Sequence, residues 1–307
     1  MKNLDMKSAF PAAIENIGLL SDKCVVVVGD IGHFALQGFA QKYPSRYYNL
    51  GILEPTLVSV CAGLSKEGFF PIGHTIAPFI AERSLEQIKL DFCYQKLGGN
   101  LITVGSAFDY STLGCTHHCY TDLGLLSSYP NKEVCYPSSP TELVKLVEQC
   151  YDSPLLTYYR IARNSHGINF ESVVFGENIL VAEGSDLTLL AAGPQLSTAI
   201  KLADLLSNSG ISTEIIYCHT FKPFDEESVI QSVSKTRRLF VIEEHVYNGG
   251  LASLAMRACR AIPNMKIDYH CIPDKFIRKY GTYEQILDYL GYSPEKLLQK
   301  LLSGLLK

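Results

Sequence analysis

The sequence lacks a strong excess of charge of either sign. Of its 307 residues, 27 are Lys or Arg and 31 are Asp or Glu, which gives a formal net charge of −4. A slightly acidic chain offers no electrostatic basis for binding nucleic acid or an anionic membrane surface. We therefore expect neither nucleic acid nor a membrane among its partners.

Long hydrophobic runs are also missing, and no apolar stretch approaches the roughly 20 residues that a membrane-spanning helix needs. The first 20 residues contain an acid and lack a small-residue cleavage pattern behind a long apolar core. They are expected to be part of the fold and not a signal peptide. The ten cysteines mostly stand singly in apolar segments, as small buried residues do. This cysteine usage predicts a reduced, cytoplasmic protein.

The glycine-rich loops that cradle phosphate groups are absent as well. Neither GxxxxGK[ST] nor GxGxxG has a match, because the glycines of GDIG (29–32) have a different spacing, and no GxSxG is present. The common nucleotide-binding loops and the serine-hydrolase elbow are therefore excluded.

What the sequence contains is an alternation of short apolar runs with longer amphipathic segments. CVVVVGD (24–30) is typical of a buried parallel strand, and PTLVSVCAGLSKEG (55–68) of a helix with Pro at its first position. A polar, irregular segment follows the first set of elements, and the alternation then restarts. The prediction is an α/β fold of two successive domains with mostly parallel sheets, residues 1–165 and 181–307, joined by a linker at residues 166–180.

The stretch NLGILEP (49–55) contains a single acid in an apolar setting. Glu54 follows apolar residues and directly precedes Pro55, which disfavours helical geometry in the residue before it. We expect Glu54 to be extended, in a partly buried crevice between a strand and the start of a helix. Two interpretations stay open from this stretch alone: an acid that caps the helix, or a carboxylic acid that shares a proton with a ligand nitrogen.

Longer stretches carry a resemblance to a known family. YYNLGILEPTLVSVCAGLSKEGFFPIGHT (47–75), LGCTHHCYTDLGLLSSYPNKEVCYPSSPTEL (113–143) and LLTYYRIARN (155–164) resemble, in order, the pyrimidine-binding domain of transketolases. GSDLTLLAAG (184–193) and RLFVIEEHVYNGGLASLAMRA (238–258) are similar to the transketolase C-terminal domain. The resemblance implies two such domains, thiamine diphosphate as cofactor, and transfer of a two-carbon ketol unit between sugars or sugar phosphates in carbohydrate metabolism.

The resemblance also implies a partner, because it covers only the second half of a full transketolase. The Gly-Asp-Gly of the family's diphosphate-binding domain is absent, and the chain offers no cluster of the hard oxygen ligands that a divalent cation needs. An N-terminal-half transketolase subunit is therefore expected to hold the diphosphate and the Mg²⁺ (or Ca²⁺). The expected assembly is an α2β2 heterotetramer built on a homodimer of this chain.

Three other interpretations of the chain stay open at this point. Two are enzymes with the same glutamate, the β subunit of a 2-oxo acid dehydrogenase and a carboligase similar to deoxyxylulose-phosphate synthase. The third is a non-catalytic scaffold paralogue.

On the cofactor side, the resemblance assigns roles to five residues. Glu54 would hydrogen-bond the N1′ nitrogen of the aminopyrimidine, and Ile52 would contact the cofactor beside it. Phe79 would stack on the pyrimidine, with packing in the core as the alternative. His117 matches the family histidine near the reacting carbon, and His118 is the second candidate for that catalytic role.

On the substrate side, Arg160 is expected to hold a sugar phosphate, with an ion pair at the domain boundary as the alternative, and Arg163 lies close by in sequence. Asp30 and His33 follow the carboxyl end of a strand, where ligands collect in open α/β sheets. A substrate or interface role and a structural turn are both compatible with that position.

Two positions depart from the family pattern. Gly105 stands where transketolases often have a substrate histidine, and Leu113 stands where they carry an acid that binds a sugar hydroxyl. The standard pentose-phosphate specificity is therefore not carried over.

The stretch LGCTHHC (113–119) raises zinc as a further alternative. Four ligands packed into five residues do not readily surround a tetrahedral ion, structural zinc sites join two separated pairs, and no second pair exists. We expect no metal ligands in this chain, and we expect Cys115 and Cys119 to be small packing residues.

Overall fold

The computed structural model describes residues 5–306, so the outermost residues of the two expected domains, 1–4 and 307, lie outside the described part. The strands are β1 (Cys24–Val28), β2 (Tyr47–Asn49), β3 (Phe70–Ile76), β4 (Gly99–Val104), β5 (Lys132–Cys135), β6 (Leu156–Ile161), β7 (Ile179–Ala182), β8 (Leu187–Ala192), β9 (Thr213–Cys218), β10 (Thr220–Lys222), β11 (Arg238–Val246) and β12 (Lys266–Ile272). The α-helices are α1 (Met6–Leu20), α2 (Gln37–Lys42), α3 (Glu54–Lys66), α4 (Ala77–Ala81), α5 (Leu85–Gln87), α6 (Asp122–Ser127), α7 (Pro140–Cys150), α8 (Leu196–Ser207), α9 (Glu226–Thr236), α10 (Leu251–Cys259), α11 (Tyr283–Leu290) and α12 (Pro294–Ser303).

The first sheet has seven strands in the order β10-β5-β6-β4-β3-β1-β2. Every pairing in it is parallel except the one between β10 and β5. Its central strands are buried along all or nearly all of their length, as in the CVVVV run of β1. Strands buried on both faces by helices are continuous apolar runs in sequence, which is why the sequence reveals them.

The second sheet has five strands in the order β12-β11-β8-β9-β7, and only β7 runs antiparallel to its neighbour. Residues 162–178 form no helix or strand and connect the two sheets. The expected fold class, two successive α/β domains with mostly parallel sheets, is confirmed. One strand from the second half of the chain, β10, pairs with β5 at the edge of the first sheet, so backbone hydrogen bonds connect the two halves of the chain.

Helix caps follow the residues that sequence rules favour. Helix α7 begins at Pro140 behind Ser139, whose hydroxyl accepts a hydrogen bond from the backbone N–H of Glu142. The segment after β3 is divided into α4, α5 and a π-helical turn at Ile88–Tyr94. Across residues 5–306, no helix combines the length and the apolar character of a membrane span.

Candidate active site

Glu54 lies at the start of α3, at the carboxyl-end edge of the first sheet. The loop before it is shaped by Asn49, whose side-chain oxygen accepts hydrogen bonds from the N–H groups of Asp30 (3.1 Å) and Gly51 (3.0 Å). Gly51 has φ +73°, a value that favours glycine. Glu54 is the first residue of the helix and not the extended residue before it, because Pro55 fits the opening turn. The Glu54 side chain is only 2% exposed.

The carboxylate of Glu54 does not cap the helix. Its Oε2 atom accepts a hydrogen bond from Nη1 of Arg83 at 2.8 Å. The same guanidinium lies over the ring of Phe79, with Cζ 4.2 Å from the ring centroid. Phe79 is half-buried and stands outside the three hydrophobic cores, so core packing does not account for it. Arg83 was not predicted, although its place four residues after Phe79 is the spacing at which helical side chains meet.

The two adjacent histidines face different surroundings. His117 is half-buried, its ring centroid lies 5.5 Å from that of Phe79, and its Nδ1 atom lies 2.9 Å from the Thr116 hydroxyl. His118 is buried against the edge of Phe108, with ring centroids 5.0 Å apart. Burial lowers the pKa of His118 and favours its neutral form. Only 4% of His118 is exposed, so His117 is the more accessible of the two histidines, and a catalytic role for His118 stays a prediction.

The cysteines of the same loop diverge as well. Cys119 is buried, as expected, but Cys115 is exposed and is not a packing residue. His118 and Cys119 thus point into the protein while Cys115 points out. Within residues 5–306, no three His, Cys, Asp or Glu side chains are grouped so that they could hold a metal ion.

Arg160 is the clearest correction to the sequence expectations. It lies in β6 with no exposed surface, and its guanidinium pairs with Asp122 (Nη1–Oδ1 3.5 Å). Nη2 donates to the carbonyl oxygens of Cys119 (3.1 Å) and Glu244 (3.0 Å), and the guanidinium lies over the ring of Tyr136. A substrate phosphate has no access to it. Arg160 is the ion pair at the boundary between the two sheets, which was the alternative interpretation.

Arg163, three residues after Arg160, is the accessible arginine of this segment. It is exposed, and together with Lys7 it lines a cavity of about 420 Å³ at the carboxyl ends of β4 and β6. Tyr110 lines the same cavity, and its ring centroid lies 6.2 Å from that of His117. The lining also contains Asp5 and Asp109, and burial is the main reason that the pKa of Asp109 is raised to about 7.

The departure at Gly105 has a structural reason. Gly105 has φ +87°, and a Cβ atom placed on it would lie 2.6 Å from the ring of Tyr110. The tyrosine ring therefore fills the space that a side chain at position 105 would need. Tyr110 was not predicted, because nothing in the sequence relates it to the missing histidine.

Asp30, His33 and Ile52 lie at the edge formed by β1, β2 and the loop before Glu54. Asp30 is exposed with φ +66°, and His33 Nδ1 lies 2.9 Å from the Tyr47 hydroxyl. Ile52 is 69% exposed, beside the exposed Leu53. Apart from a backbone hydrogen bond from His33 N–H to the Asp30 carbonyl oxygen, the hydrogen bonds of Asp30 and His33 run to residues of β2, and none of them joins the Glu54–Phe79 group.

Comparisons with known proteins find similar sequences and folds along nearly the whole chain. Residues 2–164 match the family model "Transketolase, pyrimidine binding domain", and residues 176–297 match "Transketolase, C-terminal domain". The chain is 29% identical to an apulose-4-phosphate transketolase subunit of Phocaeicola vulgatus, over 88% of this chain and 88% of that one. It is 28% identical to 1-deoxy-D-xylulose-5-phosphate synthase of Pelotomaculum thermopropionicum, over 88% of this chain but only 43% of that protein, so it spans less than half of this relative's length. A solved structure described as a split gene transketolase in an inactive beta4 tetramer superposes with a TM-score of 0.89 at 26% identity, covering 99% of both chains.

Proposed function

The chain belongs to the transketolase family, and from this premise we propose that it is the pyrimidine-binding subunit of a split transketolase. It transfers a two-carbon ketol unit between sugars or sugar phosphates together with a partner chain. The observation that carries the proposal is the continuous group Glu54–Arg83–Phe79–His117. It joins a buried carboxylate, a half-buried aromatic ring and an accessible histidine through successive contacts.

The residues present suit the pyrimidine half of thiamine diphosphate, on which enzymes of this family depend. Glu54 is a buried acid already bound to a planar nitrogen group, and Phe79 presents a ring for stacking. When bound, the cofactor would supply an acidic C–H group whose carbon, once the proton has been removed, adds to the carbonyl of a sugar. Glu54 would exchange a proton with the N1′ ring nitrogen, which is general acid–base catalysis. Ile52 would contact the cofactor from the loop before Glu54.

His117 would act on the sugar itself. Its ring stands between Phe79 on the cofactor side and Tyr110 on the cavity side. From there an imidazole stabilises an oxyanion or moves a proton at the sugar carbonyl oxygen. We assign this role to His117 as the more accessible of the two histidines.

The cavity beside Tyr110 is the proposed place for the anionic end of the substrate. Arg163 and Lys7 bring two cations to its wall, and a guanidinium fork suits a phosphate group. This assignment moves the expected phosphate contact from the buried Arg160 to the accessible Arg163.

The proposed partner is a chain with the diphosphate-binding domain, which would hold the diphosphate and its Mg²⁺ or Ca²⁺. The described residues contain no group of acids able to hold such an ion. Support comes from the relative named as one subunit of a transketolase and from the solved split-gene structure. The exposed Asp30 and Ile52 and the half-buried His33 would face this partner or the substrate. We propose an α2β2 assembly in the cytoplasm, where the free, mostly buried cysteines would stay reduced.

The test is co-expression with a candidate diphosphate-half subunit, followed by measurement of thiamine diphosphate binding by each chain and by the mixture. We expect tight, Mg²⁺-dependent binding only in the mixture, together with ketol transfer from a ketose donor to an aldose acceptor. Full activity of this chain alone would contradict the split site. Turnover with pyruvate as donor would favour the synthase-like carboligase, and acyl transfer to a lipoyl domain would favour the dehydrogenase β subunit.

A further inference from the structure

We propose that Arg83 is a further residue of the cofactor site. In the free chain its side chain occupies the place of the aminopyrimidine ring, and it has to leave before the ring binds. The inference rests on the proposed function, since it concerns the same half-site. Arg83 would thereby set how strongly this chain binds its cofactor.

The guanidinium of Arg83 already makes both contacts that an aminopyrimidine needs there. Nη1 donates to Oε2 of Glu54 at 2.8 Å, and Cζ lies 4.2 Å from the centroid of the Phe79 ring. A guanidinium is planar, carries N–H donors and stacks on aromatic faces, as a flat nitrogen heterocycle does. His117 packs edge-on against the same ring at 5.5 Å, which limits the ring surface that remains. The arginine and the pyrimidine therefore compete for one carboxylate and one ring face.

The two partners of this ion pair differ in how freely they can move. Glu54 is 2% exposed and is fixed at the first turn of α3, whereas 47% of the Arg83 side-chain surface is exposed. Arg83 lies in the short connection between α4 and α5. A long side chain with half its surface in water can rotate outward without disturbing the core. Glu54 stays in place and is ready for a new donor.

This exchange of Arg83 for the pyrimidine explains why Arg83 stays bound to Glu54 until a ligand arrives. A buried carboxylate without a hydrogen-bond donor is costly, so Arg83 does not leave Glu54 unpaired. A pyrimidine that enters replaces the lost donor and the lost stacking partner together. Cofactor affinity is then the difference between two similar sets of contacts, and removing the arginine removes the competitor.

The experiment is calorimetric titration of the full chain with 4-amino-5-hydroxymethyl-2-methylpyrimidine, the uncharged pyrimidine half of the cofactor. An uncharged probe is needed because removal of a cation would weaken binding of the anionic diphosphate for a separate reason. Loss of one half-exposed ion pair and one cation–π contact predicts that Arg83→Ala lowers the dissociation constant roughly tenfold. Arg257→Ala is the matched control, since Arg257 forms a half-exposed ion pair with Glu226 at 2.9 Å in the second domain, and it should leave binding unchanged.

A second readout follows the arginine directly. The Nε–Hε resonance of Arg83, assigned by its loss in Arg83→Lys, should shift on addition of the pyrimidine while that of Arg257 stays in place. Binding by Arg83→Ala that is equal to or weaker than wild type overturns the proposal, and so does an unchanged Arg83 resonance in the presence of bound pyrimidine. The absence of binding by Arg83→Ala at millimolar pyrimidine also overturns it, because a freed site must bind.

The failure of this proposal can be told apart from failure of the proposed function. If Glu54→Gln abolishes pyrimidine binding while Arg83→Ala has no effect, the half-site stands and only the competition is wrong. If Glu54→Gln binds as well as wild type, the half-site itself is not at Glu54, whatever Arg83 does.

Discussion

Replacing Arg160 by alanine tests whether the arginine in β6 is structural. The change deletes a fully buried guanidinium, the ion pair to Asp122 and the hydrogen bonds to the carbonyl oxygens of Cys119 and Glu244. Asp122, itself without exposed surface, would remain as a buried charge with its cation removed. Breaking a buried pair in this way typically costs about 3–5 kcal/mol. We expect the free energy of unfolding to fall by that amount.

The assay is urea unfolding of the full chain, with Arg163→Ala as the matched control. Arg163 is exposed at the end of the same strand, so its removal should change stability by no more than about 0.5 kcal/mol. In the reconstituted enzyme, Arg163→Ala is the variant that should affect the substrate. It should raise the KM of a phosphorylated acceptor while the fold stays intact. A loss below about 1 kcal/mol for Arg160→Ala, or an equal loss for Arg163→Ala, would refute the reasoning.

Three further predictions concern stability and the histidines. Burial lowers the pKa of His74 from 6.5 to about 4, so the unfolded chain takes up the proton first as pH falls, and stability is lost between pH 6.5 and 4. Between pH 6.5 and 4, the free energy of unfolding of His74→Leu should fall by roughly 3 kcal/mol less than that of wild type. A free energy of unfolding that falls as steeply with pH as in wild type would contradict this. Gly105→Ala should destabilise the chain by about 1–3 kcal/mol because of its positive φ and the contact with Tyr110, whereas Gly63→Ala, with open space in α3, should stabilise it by about 0.5–1 kcal/mol. His117→Ala should lower ketol transfer strongly while His118→Phe retains it, and the opposite order in a reconstituted assay would return the catalytic role to His118.

Much of the fold was predictable because local pattern and burial agree in it. The buried strand at residues 24–28 and the helix that begins beside Pro55 follow from short apolar runs and from where proline fits. The pairing of β10 with β5 was not predictable, since it joins Thr220 to Cys135 across the two domains and no local pattern encodes it. Helix α1 was also missed, although Asp5 caps it and its buried residues follow a helical period, because a proline inside a segment, here Pro11, argues against a helix.

The site residues also divide into those that a local pattern predicts and those that depend on long-range packing. The position of Glu54 followed from the sequence, but its ion pair with Arg83 depends on how α3 and α4 pack. Arg160 and Arg163 look alike in the sequence, yet β6 ends at Ile161, so the first is inside the sheet and the second is beyond it. His117 and His118 are neighbours on an irregular loop, where neither the period of a helix nor that of a strand indicates which side chain points inward.

Hydrogen–deuterium exchange at C2 of the thiazolium ring of thiamine diphosphate tests the central claim most directly, because it needs no knowledge of the sugar. The reconstituted complex of this chain with its diphosphate-binding partner is quenched at short times, and the remaining C2 proton is measured by NMR. With wild-type chain we expect exchange far faster than for free cofactor. With Glu54→Gln we expect exchange to be slower by about 10²–10⁴-fold, while the partner's contacts with the diphosphate keep the cofactor bound in the complex. Exchange by Glu54→Gln as fast as wild type would show that the carboxylate of this chain does not activate the cofactor.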